Sequence, residues 1–190
     1  MTTNNAVNVG LSGATGTGNF VGSTSATLVT PTLGAATATS VGFSPTTGGI
    51  IGTTTNDNAG SGKVGEFISS NIPFASAVSI PSGVAPVNVT SISLTAGDWD
   101  IFGNVTFAAN TTGSGTLYAW CGTTSATIPD NSMVATEAQA SSANADYGIA
   151  TPFLRVSIGT TTTVYLSAQW AFFGSATVSA SGSIFARRER

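Results

Sequence analysis

The sequence contains no histidine and a single cysteine. Histidine is the commonest general base near neutral pH and the commonest transition-metal ligand, so its absence argues against most hydrolytic and metal-dependent chemistry. One cysteine, Cys121, excludes an intrachain disulfide framework and a cysteine-cluster zinc site. Because Cys121 lies in an apolar, alternating stretch, we interpret it as a small buried hydrophobic residue.

Charged residues are also scarce, at 7% of the 190 residues against roughly 25% in an average soluble domain. Only five residues are basic, and Arg187, Arg188 and Arg190 all lie at the C-terminal end. Nucleic-acid binders neutralise phosphates with Lys and Arg, so we expect no nucleic-acid partner. Because disordered chains combine low hydrophobicity with high net charge, a hydrophobic share of 41% and a net charge of −3 predict a folded protein.

Targeting and membrane segments are not predicted. Residues 1–10 lack the basic start and apolar core of a signal peptide. The uncharged stretch Val164 to Ala186 has the length of a membrane span, but its apolar residues alternate with Ser167, Gln169 and later serines. A period of two is typical of a strand, so we expect no membrane insertion.

The chain divides at a polar, glycine-rich joint near residues 56–62. Residues 1–56 carry no charged side chain, and the only aromatic residues before Lys63 are Phe20 and Phe43. Such a segment buries too little apolar surface to offset its own ordering entropy. The sequence therefore predicts an extended arm over residues 1–62, held by other chains, and a distal domain over residues 63–190.

The distal domain is predicted to be all-β, because apolar residues alternate with polar ones and turn signals separate the runs. Trp99, Ile101, Val105 and Phe107 share one parity, and Phe102 is the exception on the polar side. The one helix candidate, Ser132–Ala145, reads equally well as a loop. Short strands at regular spacing indicate an antiparallel β-sandwich or jelly roll. We predict strands at about 65–71, 76–80, 86–94, 98–108, 115–122, 133–137, 151–158, 162–173 and 176–187.

Three runs carry a resemblance to a known class of proteins. Gly13–Gly34, which reads GATGTGNFVGSTSATLVTPTLG, resembles an arm segment of bacteriophage tail-fibre and related virion proteins, with Ala26 where proline is usual. Ser91–Val105 (SISLTAGDWDIFGNV) and the ending Gly182–Arg188 (GSIFARR) resemble the distal domain that often follows such an arm. Together the runs cover less than a quarter of the chain.

The resemblance implies a homotrimeric fibre that ends in a jelly roll of the tumour-necrosis-factor-like type. It also implies that the arm docks onto other virion proteins, a tail adaptor or nozzle or the capsid, after assembly in the bacterial host cytoplasm. The docking residues that we predict on this basis are Phe20, Val21, Leu28, Val29 and Leu33.

Aromatic residues of the distal domain are predicted to fill its core or a subunit interface, as aromatics on sandwich strands usually do. The strand Leu117–Cys121 is apolar on both faces, which favours contact with a neighbouring subunit on its second face. Exposed loops at Asn110–Gly115 and Ala138–Gly148 are predicted to meet the host surface, as a glycan or a protein. The core or trimer-interface candidates are Trp99, Tyr118, Trp120, Tyr165, Trp170 and Phe172.

No enzyme, cofactor or metal site is predicted. Asp98 and Asp100 lie on one strand face at a separation that a glycosidase could use, but a solvated strand face explains them better. Neither this pair nor Asp57 with Asn58 matches a calcium loop. For Arg187–Arg190 we weighed contact with an acidic partner against a charged end that protects an edge strand, and favoured the second.

These observations predict a structural virion protein, a short tail fibre that docks by its arm and contacts the host with its distal domain. A capsid decoration or head-fibre protein with the same architecture is the alternative. A fibre-borne depolymerase is disfavoured because histidines are missing and acidic residues are few.

Overall fold

The computed structural model describes residues 54–110, 113–130, 133–141, 145–172 and 177–190. The predicted docking residues Phe20, Val21, Leu28, Val29 and Leu33 lie outside this part of the chain, and their role stays a prediction. Thr53–Arg190 forms one compact unit. No helical segment among the described residues is long and apolar enough to span a bilayer.

Ten strands make up the described unit. β1 to β5 are Phe67–Ile72, Val78–Ile80, Val87–Leu94, Gly97–Ala109 and Gly113–Gly122. β6 to β10 are Ala135–Ser141, Ala145–Ala150, Leu154–Ile158, Thr162–Phe172 and Val178–Arg188. A 3₁₀ turn, Phe74–Ser76, separates β1 from β2.

The strands form two antiparallel sheets that pack face to face. In the first sheet, β10 and β4 are central, β1 and β2 share the outer edge of β10, and β7 and β8 share the outer edge of β4. The second sheet has the order β3-β9-β5-β6. If the two strands that share an edge are counted as one position, each sheet has four strand positions. The order of the strands in the two sheets is that of a jelly roll. The prediction of an all-β antiparallel sandwich is confirmed.

The core lies between the two sheets, because the apolar side chains at alternate positions of each strand point into this space. From the first sheet, Trp99, Ile101, Val105 and Phe107 of β4 are fully buried, as their shared parity predicted. Leu166 and Trp170 of β9 and Leu117 of β5 cover them from the second sheet. The Trp170 ring meets the rings of Phe107 and Tyr147 edge-on, with centroids 6.0 and 5.9 Å away.

The region between β5 and β8 differs most from the prediction. Ser132–Ala145 contains no α-helix among its described residues, because Ala135–Ser141 pairs with β5 as strand β6. β7 was not predicted and pairs with β4 from Asn104↔Ala150 to Ala109↔Ala145. The predicted receptor loop Ala138–Gly148 is therefore wrong over much of its length. Alanine-rich strands lack the β-branched signal that identifies a strand in a sequence, and pairing to a neighbour determines them instead.

Candidate interaction surface

An ion-paired cluster lies where the end of β10 meets the start of β4. Arg188 is 4% exposed, and its Nε donates to Oε2 of Glu66 at 2.9 Å. The remaining guanidinium nitrogens donate to the turn before β4, to the carbonyl of Ala96 at 2.7 Å and to Oγ1 of Thr95 at 2.5 Å. The guanidinium also lies 4.3 Å from the centre of the Trp99 ring. Arg188 is thus a structural residue inside the domain.

Glu66 is held as a carboxylate by this arrangement. Its Oε2 accepts the backbone N–H of Gly62 at 2.8 Å, and this hydrogen bond lowers the pKa of Glu66 against the effect of burial. The hydrogen bond from Arg188 and then its charge lower the pKa further. On either side of the pair, backbone hydrogen bonds from Gly65 to Arg188 and from Arg188 to Glu66 continue the pairing of β1 with β10. The residues between the predicted joint and β1 are therefore attached to the last strand, and Gly62 of the joint is bonded to Glu66.

Asp98 lies at the same end of β4, on the opposite face of the sheet from Trp99 and Arg188. Its Oδ2 is 2.6 Å from Nε of Arg190 and 3.5 Å from Nη2 of Arg155. Asp98 is 3% exposed, and a hydrogen bond from Ser157 contributes most to lowering its pKa, with the two arginines adding to it. The predicted solvated strand face is therefore wrong at Asp98, and this carboxylate is committed to structural ion pairs.

The prediction that the C-terminal arginines protect an edge strand is wrong. β10 is flanked by β1 and β2 on one side and by β4 on the other, so it is an interior strand of the first sheet. Arg188 points into the ion-paired cluster, whereas Arg187 is exposed on the outer face. The charges at this end therefore hold a central strand in place.

The predicted aromatic candidates occupy three different environments. Trp99 and Trp170 lie in the core between the sheets. Trp120 is also fully buried, but it lies on the face of β5 that points away from the core and is not part of the core cluster. Tyr118 and Tyr165 are half-buried, and the side chain of Phe172 is outside the described residues. Their place in a trimer interface stays a prediction.

The outer face of the first sheet instead carries phenylalanines that the sequence interpretation did not select. Phe185 of β10 lies opposite Phe102 of β4, with ring centroids 5.2 Å apart, and Phe67 of β1 stacks on Phe185 at 6.0 Å. Phe153 is the residue before β8. Because Ile101 pairs with Leu154, the same antiparallel register places Phe153 opposite Phe102, on the side away from Phe185. We call Phe67, Phe185, Phe102 and Phe153 the aromatic row.

Three members of the aromatic row are more than 40% exposed: Phe67 at 43%, Phe102 at 48% and Phe153 at 59%. Phe185 is half-buried between its neighbours. The sequence contains a signal for these residues, which is an aromatic side chain on the polar face of a strand. Phe102 lies on the same strand face as Asp98 and Asp100, and Phe185 lies on the same face as Ser183. An aromatic residue on the polar parity of a strand is a candidate for contact with a partner.

Polar side chains flank the aromatic row on both sides. On one side Arg187 of β10, Asp100 of β4 and Arg155 of β8 lie opposite one another. On the other side Asn71 of β1 donates to Oγ of Ser183 at 2.6 Å, and Ser183 lies opposite the exposed Asn104. This outer face thus has an apolar centre and a polar rim, which is the usual composition of a protein interface.

A cavity of about 210 Å³ opens beside the end of β5. Its walls include Cys121, Met133, Leu154 and Val156 together with three threonines. Burial raises the pKa of the Cys121 thiol to about 11, so it is neither a nucleophile nor a metal ligand at neutral pH. Nowhere in the described part of the chain do three or more His, Cys, Asp or Glu side chains gather as a metal site would require.

Comparison with known proteins gives similarity to solved structures only, because no family model and no curated protein matches the chain. A structure of infectious bursal disease virus, Gx strain, matches 65% of this chain with 15% identity and a TM-score of 0.41. A structure of the Gt strain matches 65% with 16% identity and a TM-score of 0.33. The match spans about a third of those chains, 32% and 29%.

Proposed function

We propose that the protein is a structural component of a bacteriophage virion, a short homotrimeric tail fibre that docks by its N-terminal arm and contacts the host surface with its jelly roll. The observation that carries the proposal is a jelly-roll domain with an exposed aromatic row, preceded by an uncharged arm that resembles virion arms. Jelly rolls are common in viral capsid and lectin domains, but the fold alone does not specify the role.

The polar groups support a role in binding rather than catalysis. Asp98 and Glu66 are committed to arginines, and Cys121 is buried and protonated. No enzymatic activity is part of the proposal. Host contact through Thr, Ser and Asn groups would be weak at each site, at about 0.5–1.5 kcal/mol per hydrogen bond, and three copies would raise the effective concentration.

The test is the position of the protein on the particle. Virions would be labelled with an antibody against the jelly roll and imaged by electron microscopy, with tail labelling expected. Labelling distributed over the head would contradict the tail fibre and favour the decoration or head-fibre alternative. Purified virions without the protein would contradict both.

Truncation tests the arm separately. Residues 1–56 should be removed and Asn58 kept, because its side chain donates to the carbonyl of Phe67 at 2.6 Å and accepts the N–H of Phe67 at 2.9 Å. We expect a folded, soluble trimer that no longer joins particles lacking the fibre. If the truncated protein still joins them, docking belongs to the jelly roll.

A further inference from the structure

We infer that the outer face of the first sheet, centred on the aromatic row, is the surface through which copies of this chain associate. The inference rests on the proposed homotrimer and assigns its contact to Phe67, Phe102, Phe153 and Phe185. It differs from the sequence interpretation, which placed the contact at the tryptophans and tyrosines. Trp99, Trp120 and Trp170 are buried within a single chain and offer no surface to a partner.

The size of this face fits a stable association. The face is four strand positions wide, with about 4.8 Å between neighbouring strands, and as long as the 11 residues of β10, with a rise of about 3.4 Å per residue. Its area is therefore roughly 700 Å². Stable protein interfaces bury about 800 Å² on each partner. An apolar centre of three phenylalanines with more than 40% exposure would remain in contact with water in a lone copy.

The orientation of the rings favours a protein partner over a sugar. A sugar stacks on the open face of an aromatic ring, but Phe185 has Phe67 on one side and Phe102 on the other, at interplanar angles of 27° and 28°. A ring therefore lies on each side of Phe185, which leaves a sugar no open face on this ring. Ring edges pack well against aliphatic or aromatic side chains in edge-to-face contacts.

The charges beside the row are arranged to suit a second copy of the same chain. Arg187, Asp100 and Arg155 lie on successive strands and alternate in sign. A shift of one strand between two copies brings one arginine of each copy opposite the Asp100 of the other. At this shift no two like charges face each other across the contact.

The test is the oligomeric mass of full-length protein and of charge-introducing variants, measured by sedimentation velocity across a concentration series. We expect Phe102→Lys to weaken association at least 100-fold, because it places a charge at the centre of the contact. Phe153→Lys, at a 59% exposed position, serves as a second variant that leaves the core untouched. Ile128→Lys is the matched control, since Ile128 is 39% exposed in the connection between β5 and β6 of the other sheet.

Thiol labelling identifies the face directly, because the native Cys121 is buried. Asn104→Cys introduces a thiol beside the row, and Thr136→Cys introduces one on an exposed position of β6. We expect the thiol at position 104 to be protected in the oligomer and to become reactive once Phe102→Lys is added. The thiol at position 136 should react equally in both backgrounds.

The possible failures are distinguishable. If the wild type is oligomeric and both lysine variants keep its mass, the inference is overturned while the proposed fibre stands. If the lysine variants stay oligomeric but particles carrying them no longer adsorb to cells, the row belongs to a host ligand and the inference is equally overturned. A wild type that is monomeric at virion-like concentrations overturns the homotrimer itself.

Discussion

Arg188 and Glu66, 122 residues apart, form a buried ion pair in which Nε and Oε2 are 2.9 Å apart. The pair joins the last residue of β10 to the residue that precedes β1, and the same guanidinium donates to the turn between β3 and β4. Three separate parts of the chain therefore meet at one side chain. This relationship gives Arg188 a structural role in a protein that has few charged residues.

Removal of either partner should destabilise the domain severely. We expect Arg188→Met to lower the free energy of unfolding by about 3–5 kcal/mol, because it leaves the Glu66 carboxylate buried without its cation. Urea unfolding of the full-length protein measures this. Lys63→Met is the control, since Lys63 is exposed, and a surface change of this kind is expected to stay within about 0.5 kcal/mol. Equal effects of the two substitutions would contradict a structural role for the pair.

Stability should fall in acid, and Glu66 should contribute to the loss. The pKa of Glu66 is lower in the folded protein than its usual 4.5, so its contribution is complete above that value and is lost as the pH falls through the folded pKa. Urea midpoints recorded from pH 7 to pH 3 measure the loss. Glu66→Gln should be less stable at pH 7 and should show a shallower decline below pH 4.5. A decline as steep as that of the wild type would contradict the assignment.

Gly182 should not tolerate a side chain. Its φ is +156°, and a Cβ atom there would overlap the backbone carbonyl oxygen of Asn104 on the neighbouring strand. We expect Gly182→Ala to cost about 1–3 kcal/mol, the range for a strained backbone conformation. Gly159→Ala is the matched control, because no atom lies within 4 Å of the added Cβ, and thermal unfolding compares the two. A neutral result at Gly182 would show that β10 can shift against β4.

Cys121 should resist thiol reagents in the native protein. Burial raises the pKa of its thiol to about 11, so the thiolate is scarce at pH 8 and the sulfur is inaccessible. We expect no labelling by a maleimide over an hour in buffer and complete labelling in denaturant. Rapid labelling without denaturant would mean that the end of β5 opens.

Much of the architecture follows from the sequence because it depends on local patterns. The alternation of Trp99, Ile101, Val105 and Phe107 identifies β4 and its buried face, and the turn signals limit the strands on either side. Composition alone argues against nucleic-acid binding and histidine chemistry. These features are properties of neighbouring residues, so they can be recognised without knowledge of the strand pairing.

The strand pairing is decided only by the tertiary structure, because each partner lies far away in the sequence. Nothing local shows that β10 is a central strand, and this position turns Arg188 from an apparently exposed charge into a buried one. The aromatic row has the same origin. Phe67, Phe102 and Phe185 each look like isolated exceptions along the chain, and they become one surface only because β1, β10 and β4 lie side by side in register.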